Sequence, residues 1–131
     1  MKALNINAKR TGFPITINGV ELFFDASLEG IERYESKITE AQAMIADIPD
    51  TGNVVEDKKT VVRMSFDSIF GDGTFDNLYQ VLPDITALQT VFFDVVKGID
   101  ERTAEYIKEY NQQSDELLEM YQDKKSEIEG Q

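Results

Sequence analysis

The stretch from Phe13 to Phe24, FPITINGVELFF, restricts the fold more than any other part of this chain. A two-residue Asn18-Gly19 loop between apolar runs is the preferred type I′ hairpin turn, because both central residues need positive φ. That loop opposes Ile17 to Val20, Ile15 to Leu22 and Phe13 to Phe24. All six share one face, with Thr16 and Glu21 on the other. A lone hairpin is marginal in water, so its apolar face requires cover from the rest of the chain. Upstream, Leu4, Ile6 and Ala8 alternate with Asn5, Asn7 and Lys9, which makes 3–8 a candidate third strand.

After residue 25 the apolar period changes from two to between three and four. Asp25 or Ser27 can cap a first helix. Leu28 opens its apolar positions, and Ile31, Tyr34, Ile38, Ala41, Ile45 and Ile48 then follow at spacings of three and four, a seam that suits packing along another helix. Pro49 ends it, and Asp50-Thr51-Gly52-Asn53 forms a polar loop. A second helix from about Glu56 to Phe70 carries Val62, Phe66 and Ile69 and stops at Gly71-Asp72-Gly73. Thr74 can cap a third, with Phe75, Leu78, Tyr79 and Leu82, which Pro83 closes. Asp84 then caps a last helix reaching about Glu127. Its stripe comprises Leu88, Phe92, Val95, Ile99, Tyr106, Tyr110, Leu117, Tyr121 and Ile128, within roughly 80° at 100° per residue. Gly98 weakens its middle, and Asn111-Gln112-Gln113-Ser114 interrupts the stripe.

These elements predict an α+β fold, predominantly α-helical. A β-hairpin at about 13–24, with the candidate third strand at 3–8, packs on a bundle of about four helices ending in a long C-terminal helix. The expected organisation is one domain over 1–131. It comprises a hairpin region (1–25), a helical core (26–110) and a C-terminal helix (111–131) that projects, frays or packs on another subunit.

The side chains available for chemistry narrow the function. The chain has no cysteine and no histidine, which removes thiolate chemistry, disulfides, the commonest metal ligand and the usual general base near neutral pH. Carboxylate pairs at helical spacing, Glu101 with Glu105 and Asp115 with Glu119, have no basic or nucleophilic residue converging on them. Asp72-Gly73-Thr74-Phe75-Asp76 fails as a calcium loop, because Asn77 and Pro83 stand where glycine and glutamate are needed. No glycine-rich phosphate loop occurs. The expectation is therefore no enzyme, no cofactor and no metal.

The net charge is −12. Lys2, Lys9 and Arg10 against Glu21 leave residues 1–24 at +2, so the rest of the chain holds −14. Such a surface disfavours nucleic acid and anionic membranes. Neither a secretory signal nor a run of membrane-spanning length is apparent, and a cytoplasmic location is expected. Partner recognition is the class that remains. The candidate partner-binding residues are Phe93, which falls outside the core arc of the last helix, and Tyr106, Tyr110, Leu117, Leu118 and Tyr121, an aromatic and leucine stripe near its end. Met64 poses the same question more weakly. For Phe93 the competing reading is packing under the hairpin or the first helix.

The order of features resembles the tail assembly chaperones of long-tailed phages (siphoviruses) and prophages of Gram-positive bacteria. The similarity covers roughly residues 13–110. It is carried by TINGVELFF, by Phe-Asp-x-x-Phe-Gly-x-Gly at Phe66–Gly73 within FDSIFGDGTFDNLY, and by Phe92-Phe93-Asp94 within LQTVFFDVVKGI. The resemblance implies a small acidic helical protein of the bacterial host cytoplasm that binds the tape measure protein and helps recruit tail-tube subunits. It also implies absence from the finished virion, and that this chain is the short form of a product sometimes extended by ribosomal frameshifting. Homo-oligomerisation is open. The competing readings are a small acidic inhibitor or DNA mimic of a host enzyme, and a structural head–tail or tail component. Mimicry requires rows of carboxylates at phosphate-like spacing, whereas here acids mix with lysines, as at Asp123-Lys124-Lys125.

Overall fold

The computed structural model describes residues 1–130 as a two-stranded antiparallel hairpin followed by four helices. Strands β1 (Gly12–Ile17) and β2 (Val20–Asp25) pair in the register the sequence requires, with Phe13 opposite Phe24, Ile15 opposite Leu22 and Ile17 opposite Val20. Asn18 and Gly19 take φ of 48° and 83°, the turn conformation that Asn-Gly supplies at low cost. Phe13, Ile17 and Phe24 are buried, while Pro14, Thr16 and Glu21 face outward.

Residues 3–8, the candidate third strand, join no sheet. Among the described residues the sheet has two strands, and Leu4 and Ile6 stand exposed. The register gives a reason. Pro14 occupies a position whose backbone nitrogen faces the outer edge of β1, so a strand added there would lack one donor.

Helix α1 spans Leu28–Ala46 and α2 spans Val54–Phe70. Of the two caps considered for α1, Ser27 is the one used. Its Oγ accepts the Gly30 N–H at 3.0 Å, and Asp25 in turn accepts the Ser27 N–H at 3.0 Å. Leu28, which precedes the expected seam, is exposed, whereas the seam residues Ile31, Tyr34 and Ala41 are buried. Helix α2 begins two residues earlier than the apolar pattern indicates, because Asn53 accepts the Glu56 N–H at 3.1 Å and fixes the start.

The corner between α2 and α3 (Thr74–Val81) explains the Phe66–Gly73 motif residue by residue. Phe66 is fully buried. Gly71 sits at φ 106°, ψ 158°, a region essentially reserved for glycine. Gly73, at φ 90°, is the N-cap of α3 and has no side chain to do the capping. Thr74 is the first helical residue rather than the cap, and its hydroxyl donates to the Gly71 carbonyl at 2.7 Å. The missing cap comes from eight residues upstream: Asp67 Oδ1 accepts the Phe75 N–H at 2.9 Å. Asp67→Ala should therefore lower stability by about 1–2 kcal/mol, as loss of an N-cap does, with Asp67→Asn retaining most of it. The shift in urea midpoint measures this, and an unchanged midpoint would show the corner to be held by packing alone.

Helix α4 runs from Ile85 to Glu129 without a break. Asp84 accepts the Ala87 N–H at 3.0 Å at its start. Neither Gly98 nor Asn111–Ser114 interrupts it: one glycine costs about 1 kcal/mol against alanine, and no proline follows. Near its end, Lys124 pairs with Glu127 and Lys125 with Glu129.

The chain divides into two compact units, Met1–Lys97 and the part from Gly98 onward. The first holds the hairpin, α1–α3 and the opening turns of α4. In it Phe24 meets Tyr34 edge-on with ring centroids 5.3 Å apart, and Phe66 meets Phe92 the same way at 5.2 Å. Phe75, Leu78 and Leu88 are fully buried beside them. The second unit is α4 from Gly98 on. There Ile99 and Thr103 are buried, Tyr106 and Tyr110 half-buried, and every residue from Asn111 to Gly130 exposed.

Candidate interaction surface

The first unit offers little chemistry. An open cleft of about 500 Å³ lies among β2, α1 and the end of α2, with Arg10, Arg33, Asp25 and Phe23 on its walls. Both arginines lie against the Asp25 carboxylate, at 3.6 and 3.5 Å, so its cations are already matched. Hydrogen bonds from Ser27, then the Arg10 and Arg33 guanidinium groups, hold the Asp25 carboxyl below its usual range despite partial burial. Arg10 also covers the exposed Phe23 ring at 4.8 Å. Among the described residues no cluster of acidic side chains could hold a metal ion, and no helix is long and apolar enough to cross a membrane.

Phe93 belongs to this first unit. It does not pack under the hairpin or α1: 64 % of its surface is exposed, while its neighbour Phe92 turns inward onto Phe66. Met64 is half-buried.

The other five candidates lie in the second unit, on one helix. Tyr106 and Tyr110 stand one turn apart with ring centroids 6.2 Å from each other. Leu117, Leu118 and Tyr121 are 52–64 % exposed. The structure thus separates the six predicted residues into an isolated phenylalanine and a helical stripe. It also adds Ile107, Met120 and Ile128 as exposed apolar side chains. For Ile107 and Ile128 the signal in the sequence is an eleven-residue repeat, to which Met120 does not belong. Leu88, Ile99, Tyr110 and Tyr121 make one row, Val95, Tyr106, Leu117 and Ile128 a second, and Val96, Ile107 and Leu118 a third. Eleven residues complete three turns at 3.67 per turn, close enough to the natural α-helical period that a stripe stays on one side of a long helix.

One stripe therefore does two jobs. Leu88, Val95 and Ile99 are buried, and the same rows continue through Leu117, Tyr121 and Ile128 with nothing over them. Burying a large apolar side chain is worth about 1.5–3 kcal/mol, so this continuation is an unused source of binding energy. The part from Gly98 onward also sets ten acidic residues against four basic ones, which keeps such a helix soluble while its stripe is open.

No curated protein and no solved structure matches this chain. The family described as "Family of unknown function (DUF6673)" matches residues 18–129, from the hairpin turn to the end of α4. That is most of the chain, and the protein belongs to this family.

Proposed function

We propose that this protein is a non-catalytic tail assembly chaperone of a long-tailed phage or prophage, acting in the bacterial cytoplasm. It covers apolar helical segments of the tape measure protein and brings tail-tube subunits to it before the tail is complete. The observation that carries the reading is the open stripe of α4, from Tyr106 to Ile128, on an acidic helix. The motifs that resemble the chaperone family support it, and the absence of histidine and cysteine from the chain suits a role in which no bond is made or broken.

The stripe is where client affinity arises, because buried apolar and aromatic anchors dominate binding energy. The surrounding carboxylates leave the covered client with a soluble exterior. Co-expression with a tape measure protein should raise that protein's soluble fraction. The double variant Leu117→Asp/Tyr121→Asp should abolish the gain while leaving the helical signal by circular dichroism unchanged. No gain in client solubility with the wild-type chain would count decisively against the proposal.

A further inference from the structure

The charges beside the open stripe specify what it holds. Seen down α4 at 100° per residue, Tyr106, Tyr110, Leu117, Tyr121 and Ile128 fall within about 60°. Glu105, Glu109, Glu116, Asp123 and Glu127 all lie on one shoulder, roughly 90–130° round from the stripe's centre. The opposite shoulder carries Ile107, Asn111, Leu118 and Gln122, and its one charge within 106–128 is Lys125, which pairs with Glu129 at 3.9 Å. The acidic shoulder is also unmatched: among the described residues only Glu127 of these five is in an ion pair, with Lys124 at 3.3 Å. Near its upper end an open depression is lined by Glu101, Arg102, Glu105, Tyr106 and Glu109.

We propose that residues 106–128 of α4 dock an amphipathic α-helix of a different polypeptide, whose apolar seam is edged on one side by a row of lysines or arginines. This deepens the chaperone reading and rests on it, since it names the chemistry of the client segment. A helix laid on the stripe brings one of its own edges alongside Glu109, Glu116 and Asp123, where flanking charges set partner choice. A second copy of this chain meets that requirement poorly. Packed antiparallel, it would place the carboxylate row against itself. Packed parallel, it would place the row against Ile107, Leu118 and a single cation, Lys125, already paired with Glu129, so most of the carboxylates would lose water without gaining a partner.

The test uses the full chain and two dye-labelled helical peptides, each spanning the stripe and sharing one Leu/Ile seam. One carries lysines along one edge, and the other carries glutamates at the same positions. Fluorescence anisotropy at low salt should show the lysine peptide binding at least about tenfold more tightly, the sum of a few exposed ion pairs. The gap should narrow as salt is added. Glu109→Lys/Glu116→Lys/Asp123→Lys should reverse the preference, and Leu117→Asp/Tyr121→Asp should abolish binding of both peptides.

Equal affinity for the two peptides, or a preference unmoved by the charge reversal, overturns the inference. So does sedimentation showing a dimer that Leu117→Asp/Tyr121→Asp dissolves while neither peptide binds, because the occupant is then a second copy. The two proposals fail separately. If the charge-reversed triple variant still keeps a tape measure protein soluble and Leu117→Asp/Tyr121→Asp does not, the chaperone reading stands and the basic row falls. If the lysine peptide is preferred but the wild-type chain leaves the tape measure protein insoluble, the helix-docking chemistry stands and the chaperone reading falls.

Discussion

Phe66→Ala should lower the unfolding free energy by about 3–5 kcal/mol, a large share of what a domain of this size possesses. Phe66 has no solvent exposure, and its ring meets Phe92 edge-on at 5.2 Å. Removing the ring forfeits its transfer from water and the aromatic contact, and it leaves a cavity between α2 and the opening turns of α4. The neighbouring residues have little freedom to collapse into that space, since Gly71, Gly73 and the Asp67 cap fix the corner that follows. Thermal unfolding followed by circular dichroism should show a midpoint lower by on the order of 10–20 °C. A loss below about 1 kcal/mol would mean that the corner stands without the ring, and that this part of the motif is not structural.

That motif shows why some of the molecule was legible in the sequence. The hairpin could be read to the residue, because Asn18-Gly19 fixes a two-residue loop and the side-chain period of two then fixes every pair. Helix ends were legible where a proline or a paired glycine marks them, as at Pro83 and Gly71. Two features were not. Asp67 caps a helix that starts seven residues later, and a capping residue is sought beside the helix it serves. Residues 3–8 alternate like a strand, but alternation does not supply a partner edge, and Pro14 spoils the one nearby.

For the interaction surface, the stripe was visible in the spacing, while its division between buried and open was not. Periodicity gives a direction around a helix and is silent about what covers each turn. Leu88 and Tyr121 stand in the same row of the eleven-residue pattern, yet one is sealed and the other is 64 % exposed. Phe93 shows the same limit. Periodicity already sets Phe92 on the stripe and Phe93 off it, and what it leaves open is whether another element covers the Phe93 ring, which is 64 % exposed.

Gly30→Ala should destabilise the protein even though alanine is the better helix former. Gly30 lies buried in the first turn of α1, where helix propensity alone would give alanine an advantage of about 1 kcal/mol. Sterics oppose it, because a Cβ there would stand 2.2 Å from the Asp25 carbonyl oxygen and 2.6 Å from the Asp25 Cγ. The former is backbone, so the hairpin exit itself has to move. That movement pulls Asp25 from the Ser27 N–H, and Ser27 from the Gly30 N–H it caps. A net loss of about 1–3 kcal/mol is expected, as for other overpacked sites. Gly98→Ala is the control: nothing lies within 4 Å of its added methyl, so the propensity gain should appear as stabilisation. Acidity separates the steric account from a general weakening. The Asp25 carboxyl, lowered chiefly by its Ser27 hydrogen bonds and then by Arg10 and Arg33, contributes stability above its unfolded pKa of about 3.9. That contribution disappears as pH falls through its lowered folded value. A chain that has already lost the Asp25 contacts has less left to lose, so the Gly30→Ala deficit should be smaller at pH 3 than at pH 7. An equal deficit at both pH values would place the strain elsewhere, and a stabilised Gly30→Ala would show that β2 and α1 do not need to approach this closely.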